Sequence, residues 1–92
     1  MGTAIITLKI NTESPDVDFE KIQEESLKLI AEFSDNGETK TEIEPIAFGL
    51  KALKITFVAD ESKGSSDSVE SKIAGIKGVQ SVECVDVRRA LG

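Results

Sequence analysis

Leu50-Lys51-Ala52-Leu53-Lys54-Ile55-Thr56-Phe57-Val58-Ala59 is the stretch on which the fold turns. Leu53, Ile55 and Phe57 fall on one side of an alternating pattern, and Lys54, Thr56 and Val58 fall on the other. Successive side chains of a strand point to opposite faces, so this period of two predicts a strand half buried on a core. Upstream, residues 38–44 alternate more weakly, with Thr39, Thr41 and Ile43 on one side. They predict a poorer strand, and Pro45 suits a strand end or a sheet edge. Residues 3–10 repeat the strong pattern, with Ala4, Ile6, Leu8 and Ile10 opposed to Ile5, Thr7 and Lys9. Downstream, Val79 to Val87 predicts a last strand whose alternation falters at Cys84-Val85, as it does at a bulge.

Two helices separate these strands. After the loop Asn11-Thr12-Glu13-Ser14-Pro15-Asp16, either Asp16 or Asp18 can cap a helix, and Glu20 suits its positive N-terminal end. Phe19, Ile22, Ser26, Leu29, Ile30 and Phe33 then share one helical face, with Leu27 at its edge. Asp35-Asn36-Gly37 stops that helix. Asp60 to Ser65 is a polar loop containing Gly64. Ser66 or Asp67 caps a short second helix carrying Val69, Ile73 and Ile76; Asp67 with Glu70 resembles a capping box, and Gly78 closes the helix. The order strand, helix, strand, strand, helix, strand predicts an α+β ferredoxin-like βαββαβ sandwich. Its four-stranded antiparallel sheet carries both helices on one face. Ile5, Thr7, Lys9, Lys54, Thr56 and Val58 lie on the open face, which is only moderately apolar.

The 92 residues suffice for one domain spanning 1–92, with 30% charged and 39% hydrophobic residues. No apolar run is long enough to span a bilayer. The N-terminus lacks the basic region of a signal peptide, and the single Cys84 has no partner for an internal disulfide. These features predict a cytoplasmic protein with no membrane association. The formal charge of -6 is uneven. Residues 13–44 hold eleven acids and three lysines, whereas residues 45–59 hold two lysines and no acid. That acidity argues against nucleic-acid binding by phosphate neutralisation. It suits solubility or a basic protein partner.

The residues also exclude several chemistries found on this fold. The first loop has no Cys-x-x-Cys for a soft metal and no arginine for a phosphate. Strand one has no aromatic platform for RNA. With no histidine in the chain and no nucleophile–base set, neither an enzyme nor a metal site or cofactor is expected. Gly75-Ile76-Lys77-Gly78 spells a GxxG, but a strand follows it, so it reads as a helix stop. Cys84 on a strand reads as a small core residue.

Pro45-Ile46-Ala47-Phe48-Gly49 remains. It sets an apolar tip between two backbone breakers, and Phe48 is one of four aromatic residues in a chain without Trp or Tyr. A large ring there either folds back into its own core or serves a partner. Gly49 permits close backbone approach, Pro45 restricts the loop before binding, and Lys51 lies near enough for rim contacts.

Glu44-Pro45-Ile46-Ala47-Phe48-Gly49-Leu50-Lys51-Ala52-Leu53 resembles the signature of the archaeal translation elongation factor one-beta family. It also resembles the catalytic domain of the eukaryotic form. Three further segments resemble the family in order and spacing: Ser14-Pro15-Asp16-Val17-Asp18, Ile73 through Glu83, and Asp86-Val87-Arg88-Arg89. The resemblance covers nearly the whole chain and implies the same ferredoxin-like fold. It implies guanine nucleotide exchange on the elongation factor one-alpha GTPase, worked from one end of the domain. Pro45, Ile46, Phe48, Gly49 and Lys51 would meet the GTPase, with Phe48 entering an apolar pocket. Eukaryotic members place a lysine near their C-terminus into the GTPase's Mg²⁺ site. This chain has Arg88 and Arg89 there instead, either one a source of positive charge, or else both simply a solvated strand end. The alternative is a regulatory or dimerising module resembling the ACT type, with the open sheet face as its interface.

Overall fold

The computed structural model describes residues 2–34, 38–60 and 67–90. The elements run β1 (Thr3–Thr12), α1 (Phe19–Ser34), β2 (Thr39–Pro45), β3 (Lys51–Asp60), α2 (Asp67–Ala74) and β4 (Val79–Ala90). The four strands form one antiparallel sheet in the order β2-β3-β1-β4. Both helices pack on the same face of it, so the fold is the ferredoxin-like βαββαβ arrangement.

Alternation decides which face is covered. On β1, Ile6, Leu8 and Ile10 are buried; on β3, Leu53, Ile55, Phe57 and Ala59 are buried. These positions oppose one another across the ladder, Ile6 to Phe57, Leu8 to Ile55 and Ile10 to Leu53. Ile22 and Ile30 of α1 and Val69 and Ile73 of α2 close the core above them. Phe33 meets Phe57 edge to face, with ring centroids 6.1 Å apart. Helix α1 begins where Asp18 accepts a hydrogen bond from the Lys21 N–H at 3.1 Å, which selects Asp18 over Asp16 as the cap.

The open face is laced by polar pairs. Thr7 and Thr56 share a hydroxyl–hydroxyl bond of 3.0 Å. Lys54 Nζ stands 3.2 Å from Glu44 Oε2, and Arg88 Nε donates to Asp86 Oδ2 at 2.9 Å. Polar pairs of this kind, across strands or along one, suit a solvated surface rather than an apolar interface.

Several boundaries differ from expectation. Strand β1 continues through Asn11 and Thr12, because both polar side chains find partners. Asn11 Nδ2 donates to Ser81 Oγ at 3.1 Å, and the Thr12 hydroxyl donates to the Lys51 carbonyl at 3.2 Å. Helix α2 ends at Ala74, earlier than a stop at Gly78 implies. Gly78 belongs to the following turn, at φ +96°. A Cβ there would stand 3.1 Å from Val17 Cγ1 and 3.2 Å from Ile22 Cδ1, so only glycine fits without displacement. Strand β4 runs on to Ala90 and bulges where the alternation falters: Thr7 pairs with Asp86 and Leu8 with Cys84, leaving Val85 extra. Cys84 is exposed rather than in the core. It lies on the helix-covered face opposite Leu8, but at a sheet edge where the helices leave it open. The expected stop at Asp35-Asn36-Gly37, the Gly64 loop and the Ser66 cap lie outside the described residues.

Candidate functional site: an exposed hairpin tip

Strands β2 and β3 pair down to Pro45 opposite Lys51. Five residues, Ile46 to Leu50, cross between them. The Ile46 N–H donates to the Leu50 carbonyl at 2.8 Å, and the Leu50 N–H reaches back to the Ala47 carbonyl at 3.4 Å. Inside that closure Phe48 has φ 64° and ψ 27°, and Gly49 has φ 77°. Two consecutive positive φ values under such a bond are the signature of a type I′ turn, whose twist matches paired antiparallel strands. Glycine at the second central position is ordinary. Phenylalanine at the first is not: it is the one non-glycine residue with positive φ among those described.

The turn answers the question that the apolar tip poses. Phe48 does not fold back; it is 93% exposed, and Ile46 beside it is 38% exposed. Pro45, Ala47 and Gly49 are exposed as well. A phenyl ring carried outward on a strained backbone adds nothing to the core, and aromatic side chains are enriched in the cores of protein interfaces. Lys51 is exposed. Its Nζ lies 5.8 Å from the Phe19 ring centroid, at the start of α1.

Arg88 and Arg89 stand elsewhere. Arg88 pairs with Ile5 and Arg89 with Ala4, at the opening of β1. The Phe48 turn sits where β1 closes, since Asn11 pairs with Ala52. Seven residue-to-residue steps of extended chain, from Ile5 to Thr12, separate the two groups by roughly 23 Å. The sequence therefore names two clusters that the fold holds at opposite ends of the sheet, contrary to a site at one end. The separation is a matter of topology: β4 runs antiparallel to β1, so its last residues return to β1's first.

The tip has a neighbour that the sequence did not single out. A Cβ placed on Gly49 would lie 3.9 Å from both Cβ and Cγ of Pro15, so the loop between β1 and α1 lies beside the turn. Between the helices runs an open groove of about 1110 Å³, with Val17, Ile22, Leu29 and Ile76 among its lining. Its rim mixes acids with lysines and carries no consistent charge. No helix among the described residues is long and apolar enough to cross a membrane.

Comparison with known proteins supplies the family. Residues 5–90 match the model of the EF-1 guanine nucleotide exchange domain. The chain belongs to that family. It is 40% identical over 91 residues to elongation factor 1-beta of Methanothermobacter thermautotrophicus, covering 99% of this chain and all of the relative. Elongation factor 1-beta of Methanobrevibacter smithii is 42% identical over 94 residues, with the same coverage. Among solved structures, a de novo designed protein, Foldit4, superposes with a TM-score of 0.69 over 98% of both chains at 12% identity. That likeness concerns the fold alone.

Proposed function

We propose that this member of the exchange-domain family accelerates GDP release from the elongation factor one-alpha GTPase, and that Phe48 is the side chain that anchors it there. The observation that carries this reading is the 93% exposure of Phe48 on a hydrogen-bonded type I′ turn. A ring held outward before binding loses little freedom on entering a pocket, so its burial counts almost fully toward affinity. No bond chemistry is required. The factor binds the GTPase in a state that holds nucleotide poorly, and by reciprocity nucleotide weakens the factor's hold in turn.

Arg88 or Arg89 supplies the positive charge that competes with the GTPase's Mg²⁺ on this reading. Arg88 is engaged with Asp86, but side chains exposed by 75% and 45% exchange partners at small cost. Because the arginines and Phe48 lie at opposite ends of β1, the two contacts fall on separate regions of the partner.

Release of fluorescent GDP from the cognate GTPase tests the proposal. Wild-type protein is expected to accelerate it in a saturable manner. Phe48→Ala should raise the half-saturating concentration by about 30-fold or more, the effect of losing an anchor of about 2 kcal/mol. Absence of acceleration by wild type over a wide concentration range overturns the reading.

A further inference from the structure

Phe48 is not alone at its end of the molecule. The loop between β1 and α1, residues 13–18, comes up beside it, with Pro15 Cβ and Cγ 3.9 Å from where a Cβ on Gly49 would stand. Pro15 is itself exposed. Pro15, Ile46 and Phe48 are thus exposed apolar residues on two neighbouring loops, about thirty residues apart in the chain.

That loop is held from behind. The Glu13 N–H donates to the Gly78 carbonyl at 2.9 Å. Val17 packs against Gly78, whose Cβ position lies 3.1 Å from Val17 Cγ1. Asp18 caps α1 through the Lys21 N–H at 3.1 Å. A short loop pinned at three points has little freedom left to lose on binding. Its charge is one-sided. Exposed Glu13 and Asp16 flank Pro15, whereas residues 45–59, which include the turn, contain no acid.

Building on the exchange-factor reading, we infer that the docking surface is composite. Pro15 forms its second wall beside Phe48, and Glu13 and Asp16 face a basic rim on that side of the GTPase's apolar pocket. The two loops divide the work. Phe48 and Pro15 fill the pocket and set how long the complex lasts, while the flanking carboxylates orient the approach and set how fast it forms.

The experiment measures GDP release against factor concentration, at low and at high salt, for wild type, Phe48→Ala, Pro15→Ala, Asp16→Lys and Glu24→Lys. Glu24 is the control for net charge: it lies on the exposed side of α1, where it pairs with Lys28 at 3.9 Å. Circular dichroism melts establish that each variant is folded. Asp16→Lys is expected to lower the second-order efficiency of exchange by about tenfold at low salt, with the deficit shrinking at high salt. Glu24→Lys should change it less than about twofold. Pro15→Ala should raise the half-saturating concentration about threefold or more at both salt concentrations, without lowering the rate at saturation. If wild type accelerates release, Phe48→Ala does not, and both Pro15→Ala and Asp16→Lys match their controls, the composite surface is wrong and the exchange reading stands. If Asp16→Lys improves exchange, the rim is acidic and the inference is likewise overturned. If wild type itself fails to accelerate release, both fall together.

Discussion

Phe48 occupies a backbone conformation that a bulky residue adopts at a cost, and glycine would adopt the same conformation freely. Folding gains nothing from the exposed ring. Replacing it therefore has opposite consequences for stability and for binding. Phe48→Gly is expected to raise the free energy of unfolding by about 1 kcal/mol, through relief of the left-handed backbone. Phe48→Ala should stay within about 0.5 kcal/mol of wild type. Both should lose exchange activity, and urea titrations beside GDP-release assays check the pairing. Gly78 behaves in the opposite sense. Its positive φ and the nearness of Val17 and Ile22 make Gly78→Ala destabilising by about 1–3 kcal/mol, measured by the same titration. At this scale the sequence was only half legible. An apolar ring beside a glycine is equally compatible with a folded-back and an outward position, and the φ values that decide it come from the turn as a whole. Cys84 misled for a related reason: a small apolar residue on the covered face of a strand is buried only where a helix reaches it.

Helix α1 shows what one element tolerates. Asp18 holds its first turn, and Asp18→Ala should cost about 1 kcal/mol. Inside the same helix the fully buried Ser26 hydroxyl has no hydrogen-bond partner. Ser26→Ala removes that unsatisfied group and installs a better helix former, so it should stabilise the protein by about 1 kcal/mol in chemical denaturation. Elements were the most legible level of the sequence, because period two and period 3.6 are imposed by burial, and burial is what the core residues record. Even the bulge at Val85 left a trace in the broken alternation at Cys84-Val85. The ends of elements were less legible. Asn11 and Thr12 look like loop residues until their cross-strand partners, Ser81 and the Lys51 carbonyl, are known.

At the scale of the whole molecule, both sheet edges are guarded. Strand β2 offers Lys40, Glu42, Glu44 and a terminal Pro45, and β4 is interrupted by register shifts opposite Thr7/Leu8 and Asn11/Thr12. Charges, proline and bulges are the usual means of preventing edge-to-edge pairing. Sedimentation at about 100 µM should therefore give the 9.9 kDa monomer rather than a dimer. A dimer there would favour the ACT-like alternative over exchange. The strand order was legible in the pattern, and so in principle was the distance between Phe48 and the arginines, since antiparallel pairing sends the end of β4 back to the start of β1. Site residues read as a set of sequence motifs carry no such direction, which is why they suggested a single cluster. The approach of Pro15 to the Gly49 turn brings together residues 34 positions apart and had no local signal.

The closure of the Phe48 turn has a consequence for transfer between scaffolds. Everything that shapes the tip lies between two paired residues, Pro45 and Lys51, and its closing bonds are internal. On the proposed reading, recognition is carried in a cassette that any hairpin of the same twist can accept. A designed backbone of this topology, unrelated in sequence, is a ready recipient. Pro15 marks the limit of that portability, because a neighbour borrowed from another loop does not travel with the cassette.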